Sequence, residues 1–230
     1  APAAPLGCGR CAGTGVVLPS AAPVERLAAL LATAPPLDVT LDQAPCTPET
    51  ALRRAALMHE AGAVEGRRIV LLGDDDSVAL ALGLLVRALT GRPPAVPVTV
   101  LELDPNRVAF LRAAAAAEGL PVEVVPHDLR EPLPAGLRGR FEVFETDPPY
   151  TPAGARLFLE RAREALDPAR TGYGYLSYAQ RPPAEQRALL ALLTGLGFAA
   201  TALRPGFNRY RGATVLGGAG QLLELVTADA

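Results

Sequence analysis

From residue 67 onward the chain alternates short, almost wholly apolar runs with longer stretches whose apolar positions recur every three or four residues. Arg68-Ile69-Val70-Leu71-Leu72 has no alternation of polar and apolar positions, which marks a strand covered on both faces. The run Ser77 to Leu89 is long enough and apolar enough for a buried helix. The pattern then predicts a strand over 98–103, an alanine-rich helix over 106–117, and a strand over 122–125. A strand over 141–146, a helix over 152–166, a strand over 173–178 and a helix over 183–194 follow. The last part reads as a strand near 199–204, a loop Gly206-Phe207-Asn208-Arg209-Tyr210, and a strand from Leu222 to Val226. Upstream, residues 1–22 are rich in Gly, Pro and Ala and read as a loose linker, and 23–34 as a short helix opened by Pro23. Thr47-Pro48-Glu49 combines a hydroxyl cap, a first-turn Pro and an acid at the positive helix end, so a second helix is expected from there to about Ala61.

Strands alternating with helices indicate an α/β fold with a mostly parallel sheet and helices on both faces. Two strands joined by a loop after the fifth unit add an antiparallel edge strand. That layout resembles the Rossmann-like sheet of the S-adenosylmethionine-dependent methyltransferases and of the aminopropyltransferases. Residues 1–40 are read as a linker and short helical segment, and 41–230 as the catalytic domain.

Composition narrows the picture. Half of the 230 residues are hydrophobic and mean hydropathy is +0.22, which describes a packed chain. No apolar run reaches the ~18 to 20 residues of a membrane span, and no signal segment opens the chain, so a cytoplasmic location and no membrane partner are expected. The 22 basic residues are all Arg against 24 acids, and a pI near 5.8 argues against a broad nucleic-acid-binding face. The absence of Lys points to codon bias or a thermophilic host. Cys8 and Cys11 form a Cys-x-x-Cys pair, but only Cys46 and two His remain to complete a four-ligand zinc site. The pair reads as two reduced thiols in a mobile glycine-rich segment, with half of a zinc ribbon as the alternative, and no metal site is expected. The chain opens on Ala1 without Met, as a trimmed product or the tail of a longer protein would.

In such a sheet, ligands bind outside the carboxyl ends of the strands. Asp74, Asp75 and Asp76 follow the first strand, Glu102 and Asp104 the second, His127 and Asp128 the third, and Asp147 and Tyr150 the fourth. The turn Gly73-Asp74-Asp75-Asp76 stands where these folds usually offer bare backbone amides to an anion. Three carboxylates there point to a cation instead. One acid in a loop is more often a solvated charge or a cap, and Asp76 or Ser77 is placed to cap the helix that follows. Capping does not explain three in a row. Glu102 is placed to accept from ribose hydroxyls, Asp104 to cap the next helix, and Asp128 to accept from the exocyclic amine of adenine. His127 reads as a packed loop histidine.

Asp147-Pro148-Pro149-Tyr150 resembles the catalytic motif of adenine-amino and cytosine-amino methyltransferases, in which the acid and a carbonyl hold an amine and the ring stacks beside it. The bland alternative is a rigid Pro-Pro turn that caps a helix. A methyl donor carries an α-carboxylate, and two like charges ~4 Å apart cost about 1 kcal/mol in bulk water and more in a partly dry cleft. Decarboxylated S-adenosylmethionine lacks that carboxylate and carries an ammonium, so an acidic turn suits it better.

Leu41-Asp42-Gln43, Thr47-Pro48-Glu49, Gly73-Asp74-Asp75-Asp76, Asp128-Leu129-Arg130-Glu131-Pro132-Leu133-Pro134, Thr146-Asp147-Pro148-Pro149 and Phe207-Asn208-x-Tyr210 together resemble the branched-chain polyamine synthases, the N(4)-bis(aminopropyl)spermidine synthases of thermophiles. The Cys8-x-x-Cys11 linker fits the same family. That family also has an N-terminal winged-helix-like domain, of which residues 1–40 are expected to be a remnant. The resemblance implies aminopropyl transfer from decarboxylated S-adenosylmethionine, as co-substrate with no tightly bound cofactor, to the secondary amine of spermidine, and then to the same nitrogen again. A homo-oligomer, specifically a homodimer, is expected. The acceptor amine must lose a proton to attack. Asp75 and Asp147 are the candidate bases, with Asp76 beside them in the catalytic set. Asp74, Pro148, Tyr150, Gln43 and Tyr178 are the candidate substrate-binding residues, and Gly73, Asp74, Glu102 and Asp128 are expected to hold the donor. An amino methyltransferase acting on nucleic acid or protein is the alternative, and a non-catalytic polyamine or nucleoside sensor is a third reading.

Overall fold

The computed structural model describes residues 11–41, 43–211 and 218–227. Its centre is β1 (Ile69–Leu72), whose four residues are all buried. Successive side chains of a strand face opposite ways, and here Ile69 and Leu71 join one half of the core while Val70 and Leu72 join the other. The first half is closed by α1 (Ala22–Leu31), α2 (Pro48–Glu60), α3 (Val78–Thr90) and α4 (Pro105–Glu118). The second half is closed by α5 (Pro152–Ala165) and α6 (Pro183–Gly195). Each of these core side chains contributes about 1.5–3 kcal/mol by leaving water, which explains why the strands tolerate so few polar residues.

The sheet adds β2 (Val98–Glu102), β3 (Val122–Pro126), β4 (Val143–Thr146), β5 (Tyr173–Ala179), β6 (Phe198–Arg209) and β7 (Ala219–Thr227), in the order β3-β2-β1-β4-β5-β7-β6. Pairings among β1 to β5 are parallel, and β7 pairs antiparallel with both β5 and β6. The chain therefore leaves β1 toward β2 on one side and returns to β4 on the other. The crevice at the carboxyl ends of β1 and β4 is the topological switch point where such sheets bind ligands. The expected α/β class, mostly parallel sheet and two-faced helix cover are all present.

Three local readings differ. The last hairpin is longer than the sequence pattern indicates: β6 continues through Arg209, and two register shifts, Ala200/Ala202 and Arg204/Asn208, carry the pairing past Pro205 and Gly206. Such bulges let a strand accommodate a Pro that a regular ladder would reject. The stretch read as loose linker contributes Val16 to the core beside Leu27 of α1, while Cys8 lies outside the described residues. The cap of α3 is Asp74, whose carboxylate accepts from the amides of Val78 (2.6 Å) and Ala79 (3.1 Å). Neither Asp76 nor Ser77 does so, because Ser77 is in the left-handed region with φ 59° and aims no hydroxyl at the helix. Thr47 and Asp104 cap α2 and α4 as expected.

The segment before α2 is sewn to the end of β6. Thr47 donates its amide to the Arg209 carbonyl (2.8 Å), Arg211 donates to Pro45 (3.0 Å), and Cys46 bridges Tyr210. This crossing brings residues 43–47 over the crevice. No helix among the described residues is long and apolar enough to cross a membrane.

Candidate active site

A cavity of about 260 Å³ opens at the carboxyl ends of β1, β2 and β4. Gln43, Gly73, Asp74, Asp75, Glu102, Asp128 and Asp147 all line it, with apolar walls from Leu103, Leu129, Leu157 and Phe158. Seven of the residues singled out in the sequence therefore meet at one place. Pro148 is buried and Asp76 sits behind the wall, 4% exposed. Tyr150 and Tyr178 line a second cavity of about 230 Å³ between α5 and α6, with their rings edge to face at 5.2 Å. Arg181 fixes that pair by donating to the Tyr150 carbonyl while its guanidinium lies 5.8 Å over the Tyr178 ring.

Gly73 makes the first turn possible. Its φ of +71° is open to glycine at little cost, and its amide reaches the Leu101 carbonyl at 2.8 Å. Glu102 braces the same turn: one oxygen accepts from the Asp74 amide (3.1 Å) and the other from the Asp104 amide (2.9 Å). Gln43 spans the rim, accepting from the Asp38 amide (2.9 Å) and donating to Asp104 Oδ2 (3.0 Å). Asp128 at the far wall is held by its neighbour Arg130, whose side-chain and backbone N–H groups lower its pKa to about 2.

The acids at the switch point share a cation that the sequence reading missed. Arg54 of α2 is fully buried. Its guanidinium pairs with Asp76, with Glu145 of β4 (3.2 Å) and with Oδ2 of Asp147 (2.9 Å). Its Nε donates to Asn208 Oδ1 at 2.9 Å, and Asn208 is itself fixed by donating to the Gln221 carbonyl (2.9 Å). Asp76 also accepts the Cys46 amide. One guanidinium thus serves three carboxylates, and Asp75 stands beside them with the Ala44 amide as its one hydrogen-bond donor among the described residues (3.1 Å). Arg107 of α4, itself 2% exposed, offsets part of the charge at Asp75 without a hydrogen bond.

This imbalance sets the protonation. Burial pushes Glu145 up to about 8, which Arg54 only partly offsets while Asp76 and Asp147 add to it. Burial likewise raises Asp147 to about 6, with Arg54 opposing and Asp76 reinforcing the shift. Asp75 is raised by burial first and then by Asp76 and Asp147. Asp147 Oδ2 accepts from both Arg54 and the Tyr210 hydroxyl (2.7 Å). Its Oδ1 is buried and has no hydrogen-bond partner among the described residues. Tyr150 stands near enough to favour the charged form of Asp147 but makes no hydrogen bond to Oδ1. An acid with one oxygen engaged and the other buried without a partner, and with a pKa of about 6, has an oxygen left to take a proton from an amine.

Arg54 left one trace in the sequence. Ala51, Arg54, Ala55 and Met58 fall at i, i+3, i+4 and i+7 on the buried stripe of α2, so a cation occupies a core position. Glu145 is similarly an acid in a strand that is otherwise apolar or small. Among the described residues no cluster of three or more His, Cys, Asp or Glu could hold a metal ion, and Cys11 is a buried free thiol.

Comparison with known proteins agrees with this geometry. Residues 24–217 match the family model of the branched-chain polyamine synthase A C-terminal domain. The N(4)-bis(aminopropyl)spermidine synthase of Thermus thermophilus is 40% identical over 207 residues, 88% of this chain and 58% of that protein. An uncharacterised protein of Methanocaldococcus jannaschii is 38% identical over 213 residues, 92% of this chain and 52% of that protein. The chain thus spans only a little over half the length of these two relatives. The crystal structure of the Thermus thermophilus branched-chain polyamine synthase, in complex with N4-aminopropylspermidine and 5'-methylthioadenosine, superposes with a TM-score of 0.84 at 32% identity, covering 98% of this chain and 70% of that one. A putative RNA methyltransferase from Pyrococcus horikoshii shares the fold, with a TM-score of 0.65 at 19% identity over 90% of this chain and 98% of that one. On the match of its sequence to the family model over most of its length, the chain belongs to the branched-chain polyamine synthase family.

Proposed function

We propose that this chain transfers aminopropyl groups from decarboxylated S-adenosylmethionine to the secondary amine of spermidine, giving N(4)-aminopropylspermidine and then N(4)-bis(aminopropyl)spermidine. The observation that carries the reading is Asp74. Its carboxylate occupies the two α3 amides, those of Val78 and Ala79, that in a related sheet would receive a donor's α-carboxylate. A donor with that carboxylate finds the helix end taken and Asp75 alongside. A donor lacking it meets acids with an ammonium. The relative solved with an aminopropylated spermidine and methylthioadenosine supports the same choice.

The chemistry follows from the placement. Glu102 and Asp128 line the cavity on the β2 and β3 side and serve the ribose hydroxyls and the adenine amine. Asp75 takes a substrate ammonium. Gln43 and Gly73 shape the rim and floor, while Pro148, Tyr150 and Tyr178 form the acceptor side. The amine lone pair attacks the carbon beside the sulfonium, the carbon–sulfur bond breaks with its electrons going to sulfur, and methylthioadenosine leaves. The proton of the acceptor nitrogen goes to Asp147 Oδ1. Asp76 is held behind the wall by Arg54 and contributes charge to the catalytic set. Alignment of nucleophile, carbon and leaving group is itself a large part of the acceleration.

Incubation with spermidine and either donor, followed by mass spectrometry, tests the proposal. Product masses rising by one and two aminopropyl units are expected; methyl transfer to nucleic acid or protein with no aminopropyl product would overturn it in favour of the methyltransferase reading. That second reading draws on Asp147-Pro148-Pro149-Tyr150 and on 34% identity over 109 residues, 47% of this chain and 36% of that protein, to a release factor glutamine methyltransferase of Deinococcus radiodurans. A homodimer remains the assembly we propose, and a monomeric mass by light scattering would overturn it.

A further inference from the structure

We propose that Arg54 is the positioning residue of the reaction: it fixes Asp147 by one oxygen so that the other faces the acceptor amine, and it sorts the acids into those held by the protein and those left for substrate. The inference rests on the reaction proposed above. Arg54 is fully buried, and each part of its fork has a distinct partner. Nη2 takes Asp147 Oδ2 at 2.9 Å, Nη1 takes Asp76 and Glu145, and Nε takes Asn208 Oδ1 at 2.9 Å. The planar fork has no freedom to turn once Asn208 holds Nε. Asn208 is in turn held by the Gln221 carbonyl, and the Gln221 side chain donates to Ala179 (3.1 Å) and Gln186 (2.6 Å). The aim of Asp147 is therefore transmitted from β5, β7 and α6 through Asn208 and Arg54.

The consequence for the cluster is a division of labour. Asp76 is closed off by Arg54 and by the Cys46 amide. Asp147 is half closed, with Oδ2 engaged by Arg54 and Tyr210 and Oδ1 unpartnered among the described residues. Asp75 makes no hydrogen bond to Arg54 and remains for a substrate cation. The charged and titratable groups facing Asp147 are Arg54 from α2, Cys46 before it, Asp75 and Asp76 from the β1–α3 turn, Glu145 from β4, Tyr150 from its own loop, and Tyr210 after β6. Arg54 is the only cation in that set. A Lys at the same place could keep the charge but not the fork.

The test compares Arg54→Lys, Arg54→Met and Asn208→Leu in the purified protein, with steady-state rates read from pH 5 to 9. Arg54→Lys is expected to lower kcat about 10²-fold with donor KM little changed, and to leave the acid limb of kcat/KM where it is. Arg54→Met is expected to move that limb upward by about 1 to 3 pH units, because the one opposing charge is gone. Asn208→Leu keeps the cation but frees Nε, so it should lower kcat without moving the limb, and it decides the matter if Arg54→Met fails to fold. A wild-type kcat in Arg54→Lys and Asn208→Leu, or an unmoved limb in a folded Arg54→Met, would overturn the proposal. Two parallel measurements separate the levels. No aminopropyl product from the wild-type protein refutes the reaction reading itself. Full activity in Asp147→Asn refutes Asp147 as the proton acceptor that Arg54 would position, and loss in Asp147→Asn with unchanged Arg54 and Asn208 variants refutes only the positioning role.

Discussion

Glu142 and Glu145 stand three residues apart at the two ends of β4, both buried, and they live in opposite electrostatic worlds. Glu142, 4% exposed, receives Arg67 (3.3 Å), the Arg68 amide (3.2 Å) and Arg170 (2.6 Å). Burial pushes it up, but those donors outweigh burial and its pKa lies below the usual value. Glu145, 2% exposed, has one third of one guanidinium. At the amino end of the sheet cations outnumber the acid; at the carboxyl end acids outnumber the cation. The first arrangement is complete within the protein. The second holds more acids than Arg54 can pair, and that surplus, rather than acid content as such, is what the proposed function assigns to a cationic substrate.

The largest expected effect separates the ends by activity. Asp147→Asn should reduce kcat by about 10² to 10⁴-fold with the fold retained, while Glu142→Gln should leave turnover per folded molecule unchanged. Near-normal turnover in Asp147→Asn would break the comparison. Denaturant midpoints reverse the order. Glu142→Gln should cost about 1–3 kcal/mol, since three donors lose a charged acceptor, whereas Glu145→Gln at pH 7 should change stability by less than about 0.5 kcal/mol, because Glu145 with its pKa near 8 already carries a proton. A large loss in Glu145→Gln would show that Glu145 is ionised in the fold.

The pH dependence sharpens the contrast further. A carboxyl raised in the folded state favours stability at low pH and withdraws it as pH rises from the unfolded value through the folded one. Glu145 and Asp147 therefore make the protein less stable between about pH 4 and 8, with their folded values near 8 and 6. Glu142 acts oppositely: its contribution is present above about 4.5 and is lost as pH falls through its lowered folded value. Melting followed from pH 3 to 9 should show both limbs, and Glu145→Gln should flatten the upper one by a few degrees, at about 2–4 °C per kcal/mol. Spermidine should raise the melting temperature more at pH 8 than at pH 5.5, and equal shifts at both would count against a charge-surplus site. Arg170→Ala should cost less than Glu142→Gln, at most about 1 kcal/mol by chemical denaturation, because its side chain is 59% exposed and Arg67 and Arg68 remain at Glu142.

The sheet was legible because its signal is local: Ile69-Val70-Leu71-Leu72 can be little else than a doubly covered strand, and Thr47-Pro48 and Asp104-Pro105 announce their helices. The long β6 was not, since Pro205-Gly206 reads as a turn until bulges show how the ladder passes it. The cavity residues were legible for the same topological reason, as strand ends converge wherever a sheet is parallel. Arg54 was hidden because its burial is decided by β1, β4 and β6 rather than by its neighbours Arg53 and Ala55. Asp74 showed its charge in the sequence but not its partners, for the left-handed Ser77 that swings it onto the α3 amides cannot be read from Asp-Asp-Asp-Ser.

The stitch between residues 45–47 and 209–211 has a consequence for how this protein is made. Arg54 meets Asn208 across 154 positions of chain, and Thr47 meets Arg209 across a comparable span. A chain emerging from the ribosome amino end first has Asp76, Glu145 and Asp147 in hand long before Asn208 and Tyr210 exist to hold Arg54 and Asp147 in place. The acids therefore stay in an unfinished crevice until the β6–β7 hairpin has been made, and Arg54 and Asp147 gain their partners on β6 and after it only then.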